Sequence, residues 1–114
     1  MKNLIVIILL TVAAIYAPLA QDHEIIETTF KVFGNCDQCK ARIEKTVKIH
    51  EVKYAKWNKS TKMLKVAFEN SITADSLQRR LAEVGHDTEK YKAKDETYNA
   101  LPKCCLYRDN SKTH

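Results

Sequence analysis

The element order readable in this 114-residue chain is β-α-β-β-α-β. It predicts an α+β, ferredoxin-like sandwich, a four-stranded antiparallel sheet with two helices on one face, followed by a C-terminal tail. Three observations carry the expectation. Hydrophobic alternation of period two marks residues 26–33 and 62–69 as strands. Apolar spacing of three and four marks a stretch after each as a helix. Gly34-Asn35, the "NKST" turn and Gly85 punctuate the change of period.

In "IETTFKVF" (residues 26–33), Ile26, Thr28, Phe30 and Val32 fall on one face of a strand and Glu27, Thr29 and Lys31 on the other. From Cys36 the period shifts. Cys39, Ile43 and Val47 form one helical stripe, Asp37 suits the positive end of the helix dipole, and the helix is expected to end near Ile49-His50. "VKYAKWN" (52–58) and "KMLKVAFE" (62–69) flank a short polar loop and predict a hairpin with Leu64, Val66 and Phe68 inward. Trp57, Phe68 and Tyr54 read as core and hairpin packing. In "SITADSLQRRLAEVG", Thr73 is the N-cap, Ile72 and Leu77 are spaced as a hydrophobic staple, and Gly85 is the stop. A fourth strand is expected in "HDTEKYKA" (86–93). Residues 94–114 form the tail, with a short helical segment over 95–101 and a frayed end from Arg108.

The first twenty residues have a separate character. A single Lys2 precedes an apolar run from Leu4 to Ala17, and "APLA" offers a small residue before Gln21. This is the layout of a cleaved signal peptide, and the run is shorter than the ~20 residues of a spanning helix. It leaves a domain over 21–93, an extension over 94–114, and a periplasmic or secreted location. Without Lys2, 18 basic side chains face 14 acidic ones, and the charges are interleaved as on a solvated surface. A nucleic-acid partner is not expected, and membrane contact is expected only through the leader.

Four cysteines occupy two places: Cys36-Asp37-Gln38-Cys39, and the vicinal pair Cys104-Cys105. Small disulfide-rich domains spread their cysteines along the chain, so this concentration suggests chemistry. Cys36 lies in a loop and Cys39 in the first turn of the helix. Free backbone N–H groups and the helix dipole favour thiolate there. Two converging thiolates select soft ions: Cu(I), Zn(II), Cd(II) or Hg(II). A pair satisfies linear Cu(I) or Hg(II) and leaves zinc short of four ligands.

The strand–"CDQC"–helix unit, the "EVKYAKW" and "TKMLKVAF" strands and the "VGHDT" loop resemble the heavy-metal-associated domain, over about residues 24–93. That family holds copper chaperones, modules of metal-transporting P-type ATPases and the periplasmic mercury-binding protein. The resemblance implies Cys36 and Cys39 as metal ligands, with Cu(I) the favoured ion. Gly34 stands where the family often has a core Met, and Glu51 where it commonly has Gly. His86 matches a loop position beside the metal, open to a third-ligand role, to tuning, or to the role of an exposed loop histidine. Lys40 reads as a solvated helix lysine that would suit an anionic centre.

Cys104-Cys105 lie outside the resemblance and have three open uses. These are extra ligands at the main site, a disulfide pinning the tail to the body, or a second, exposed thiol site for passing metal onward. Leu101, Leu106 and Tyr107 are placed to dock the segment, which leans the reading towards a role near the main site. The function expected is binding and transfer or sequestration of a soft ion, without catalysis. The expected partner is a metal-transporting ATPase, an efflux component or another acceptor, and the expected state is a monomer or a metal-bridged dimer. A thiol–disulfide redox protein and a disulfide-stapled interaction domain are the alternatives.

Overall fold

The computed structural model describes residues 23–108, so the signal-peptide reading of residues 1–20 lies outside them. Three strands form the sheet: β1 (Ile25–Lys31), β2 (Val52–Trp57) and β3 (Met63–Glu69). Their order is β1-β3-β2 and both pairings are antiparallel. The helices α1 (Asp37–Thr46) and α2 (Ala74–Glu83) follow β1 and β3. A short α3 (Asp95–Asn99) and a 3-10 turn (Lys103–Cys105) come last.

The core lies between sheet and helices. Phe30, Trp57, Leu64, Val66 and Phe68 meet Cys39 and Ile43 of α1, Leu77 and Leu81 of α2, and Cys105 of the tail. Inward alternation in β3 holds, but Ile26 is exposed near the start of β1 and Tyr54 is exposed on β2. The reading of Tyr54 as core and hairpin packing is corrected. A bulge between Val52 and Tyr54 shifts the register there.

Helix α1 stops at Thr46, one turn before the expected end. Thr46 turns its hydroxyl back to the Arg42 carbonyl, and the chain leaves through turns at Lys48 and Ile49. Helix α2 matches its sequence signals. Thr73 and Ser76 form a reciprocal capping box. Gly85, at φ +109°, closes a Schellman turn in which the N–H groups of His86 and Gly85 reach the carbonyls of Leu81 and Ala82.

The fourth strand does not form. Phe33 and Glu89 exchange single backbone bonds with Asp87 and Lys31, and Val32 and Thr88 make an isolated bridge. Beyond it, the Thr88 hydroxyl accepts the N–H groups of Lys90 and Tyr91, and the Thr88 N–H binds the Tyr91 carbonyl. These local bonds curl the backbone away from the sheet edge. Asp87 completes the diversion by accepting the Ala93 N–H.

The tail is clasped to this turn, and Arg108 is part of the clasp, which corrects the expectation of fraying at that residue. Its guanidinium binds both carboxylate oxygens of Asp87 at 2.8 and 3.0 Å, and also Asp95 and the Ala93 carbonyl. It lies over the Tyr98 ring at 4.2 Å. The Tyr107 hydroxyl donates to the Gly85 carbonyl at 2.6 Å and accepts from the Asp87 N–H at 2.7 Å. Burial raises the Asp87 carboxyl, but the Arg108 bonds and the Ala93 N–H outweigh it and hold it below its usual range. Arg108→Ala is therefore expected to lower unfolding stability by about 2 kcal/mol at pH 7, less than for a fully enclosed pair because both side chains keep some water contact. The stabilisation is present above the unfolded value and is lost as pH falls through the depressed one. Urea melts should thus show the difference between variant and parent shrinking below pH 3.8.

Candidate metal centre

Cys36 is the N-cap of α1, with extended backbone (φ −140°, ψ 172°), and Cys39 is in its first turn. The extended cap aims the Cys36 side chain along the helix start, where the first N–H groups have no helical partner. The two sulfurs stand 3.3 Å apart. Gly34 permits this packing, because a Cβ there would lie 3.0 Å from the Cys39 Cβ and 3.1 Å from the Trp57 ring. The Trp57 indole takes up the core space beside Gly34, and its N–H donates to the Val32 carbonyl at 2.9 Å.

The tail brings the other two sulfurs to the same point. Pro102 leads into the 3-10 turn, and the Tyr107 and Arg108 anchors follow it. Leu101 packs against Gly85, where only a hydrogen in place of a side chain leaves it room. Cys36 Sγ is 3.2 Å from Cys104 Sγ and 3.2 Å from Cys105 Sγ, and the vicinal pair is separated by 3.8 Å. Cys36, Cys104 and Cys105 all lie within 4.8 Å of one another, with Cys39 against Cys36. All four thiols are free. Cys39 and Cys105 are buried, while Cys36 and Cys104 keep partial access to solvent.

The thiols are unequal. Burial raises Cys36, but hydrogen bonds from the Cys105 thiol, the Cys39 backbone and the Cys104 and Cys39 thiols outweigh it and bring Cys36 down to about 7. Burial pushes Cys39 up. Cys104 is pushed up to about 12, first by its bond to Cys36, and Cys105 to about 12, first by burial. Cys36 is thus the thiol that ionises most readily, and the other three are held protonated to higher pH.

Three polar side chains touch the sulfurs: Arg42, Asn35 and Gln38, whose Oε1 accepts from Cys104 Sγ at 3.3 Å. Arg42 Nη1 donates to Cys105 Sγ at 3.3 Å and lies 3.4 Å from His86 Nε2. His86 is fully buried, which rules out the exposed-loop reading. Its Nδ1 lies 2.8 Å from the Phe33 carbonyl. A carbonyl only accepts, so the proton is on Nδ1 and the Nε2 lone pair faces Arg42. The guanidinium therefore stands between the imidazole and the sulfurs, and His86 touches the cluster through Arg42. Asn35, also buried, accepts from Cys39 Sγ at 3.5 Å through Oδ1, and its Nδ2 has no partner among the described residues.

Lys40 is turned elsewhere, to Glu44 at 2.7 Å and the Trp57 carbonyl at 2.8 Å. Arg42 and Asn35 were not singled out in the sequence. Arg42 follows Cys39 by three positions, so the two share a helix face, which was the available signal. Nothing local marks Asn35 as more than a loop residue.

Fold and site together define an α+β domain carrying a four-cysteine cluster at the mouth of α1. The neighbours among solved structures agree on the fold. "CopZ metallochaperone" is 21% identical, with a TM-score of 0.52, over 55% of this chain and 98% of that one. Oxidized MerP from Ralstonia metallidurans CH34 is 20% identical, TM-score 0.54, over 58% and 96%. The water soluble region of the P-type ATPase CopA from Bacillus subtilis is 27% identical, TM-score 0.52, over 60% and 47%. No protein-family model and no curated protein matches the sequence.

Proposed function

We propose that this chain binds one soft d10 ion, Cu(I) foremost and Zn(II), Cd(II) or Hg(II) as further candidates, at Cys36 and Cys39, and carries or sequesters it in the cell envelope. The observation that carries the reading is the contact of Cys36 with Cys39 at 3.3 Å, with Cys36 lowered to about 7. A thiol that ionises near neutral pH and a second sulfur beside it make a ready ligand pair for a soft ion. The work is ligand exchange rather than catalysis. An acceptor thiolate approaches through the open side at Cys36 and Cys104, and the ion passes through an intermediate shared by both proteins. The acceptor is a metal-transporting ATPase, an efflux component or another thiol-bearing protein, met by a monomer exported after cleavage of the leader at Ala20. The interleaved, mildly basic surface favours an acceptor of acidic surface.

The test is an anaerobic titration of the reduced protein with Cu(I) against a competing chelator. One equivalent should be taken up tightly, and Cys36→Ser should weaken uptake by about two decades or more, since the variant loses the sulfur that touches the other three. Insulin reduction without metal affinity would replace this reading by a redox one. Two quantitative disulfides in the isolated protein, resistant to mild reductant, would replace it by a stapled interaction domain.

A further inference from the structure

We propose that Cys104 and Cys105 complete the centre as ligands, so that the ion is held by four sulfurs and retained, rather than held by two and readily handed on. The inference rests on the metal-binding reading above and concerns which sulfurs hold the ion.

The spacing carries it. A linear two-thiolate ion with metal–sulfur bonds of about 2.3 Å would set its sulfurs about 4.6 Å apart. A tetrahedral ion with the same bonds sets each pair about 3.8 Å apart. Four of the six separations are 3.3, 3.2, 3.2 and 3.8 Å, well short of the linear value and at or up to about 0.6 Å below the tetrahedral edge. A small expansion of the cluster accommodates an ion at its centre. The tail sulfurs are already fixed there without an ion. Tyr107 and Arg108, two and three residues beyond Cys105, are bound to Gly85 and Asp87.

The surroundings suit the charge. Four thiols taking up a divalent ion release four protons to water and leave a centre of charge −2. The Arg42 guanidinium, already on Cys105 Sγ, offsets part of that charge. Cys39 on ionising ceases to donate to Asn35 Oδ1. A half-turn of the Asn35 amide then brings its unpartnered Nδ2 donor to the new thiolate. The tetrahedral divalent ions Zn(II) and Cd(II), which a bare pair would leave under-coordinated, are thus admitted beside Cu(I).

Cd(II) is the probe, because its sulfur-to-metal charge-transfer absorption grows with the number of thiolates bound and its 113Cd resonance reports the donor set. The reduced protein should show the absorption and resonance of a four-thiolate ion. Cys104→Ser, at a partly exposed position that tolerates the change, should lose about a quarter of the absorption, and Cys104→Ser/Cys105→Ser about half. The double variant should also release Cd(II) to a chelator at least roughly tenfold more readily. Far-UV circular dichroism checks that each variant is folded, and the single variant carries the test if the double one is not. Absorption and resonance unchanged in Cys104→Ser overturn the proposal. If that variant and the parent both take one Cu(I) while Cd(II) reports only two sulfurs, the two-cysteine reading stands and the tail ligands fall. If neither takes any ion, both fall.

Discussion

Trp57→Ala is expected to cost the fold about 3–5 kcal/mol, the range for deleting a large enclosed aromatic side chain. The indole is only 1% exposed. Its N–H serves two carbonyls, Val32 at 2.9 Å and Lys62 at 3.2 Å, and the first of these lies on the bridge that follows β1. Truncation leaves a void on the Gly34 side of Cys39 and strips both carbonyls of a donor. Chemical unfolding of the metal-free protein measures the loss. A cost below about 1 kcal/mol would mean that the indole does not fill the core as described. Ion affinity should fall in parallel, because the wall that sets the position of Cys39 is removed. The sequence resemblance raised the question of what replaces a core methionine at Gly34, and the indole is the answer.

The second large effect is acid destabilisation through His86. Burial, first of all, drives its imidazole down from 6.5 to about 4. The bond to the Phe33 carbonyl and the nearby Asp87 oppose the shift, and Arg42 reinforces it. Arg42 faces the ring from α1, while Tyr107 of the tail stacks on it at 5.7 Å. The unfolded chain takes up the proton near 6.5, whereas the folded chain resists until about 4. The unfolded state therefore binds more protons throughout that interval, and stability falls as the pH is lowered across it. At about 1.36 kcal/mol per pH unit, the interval from 6.5 to about 4 amounts to about 3 kcal/mol. Urea melts of the metal-free protein between pH 7 and pH 4.5 should show most of this decline. His86→Asn, which keeps a donor for the Phe33 carbonyl and has no proton to gain, should flatten it. An equally steep decline in the variant would place the acid sensitivity elsewhere.

The parts of the fold that the sequence made legible are those set by neighbours in the chain. Alternation in β3, the Thr73 cap and the Gly85 stop are each decided within a few residues, and each stands in the structure. The fourth strand was not legible. Residues 86–93 complete the β-α-β-β-α-β order by position, but the outcome depends on Asp87 being claimed by Arg108 from the tail. The burial of His86 was hidden for a related reason. The ring that covers it, Tyr107, is 21 residues away, and no periodicity reports such a contact. Ile26 shows a different limit, since alternation states which face a side chain takes and not whether anything reaches far enough to cover it.

At the site, the Cys36/Cys39 pair was legible because both residues lie on one turn. The meeting with Cys104 and Cys105 spans 68 and 69 positions and was suggested only by the apolar residues around the vicinal pair. Arg42 carried a helix-face signal, whereas the orphan amide of Asn35 becomes meaningful only once its burial is known.

That separation along the chain has a consequence for the order of events in biosynthesis. A polypeptide is made from its amino end, so the vicinal pair is synthesised 68 and 69 residues after Cys36. Until then a growing molecule offers at most the first pair, and the four-sulfur cluster can form only once the tail has been added.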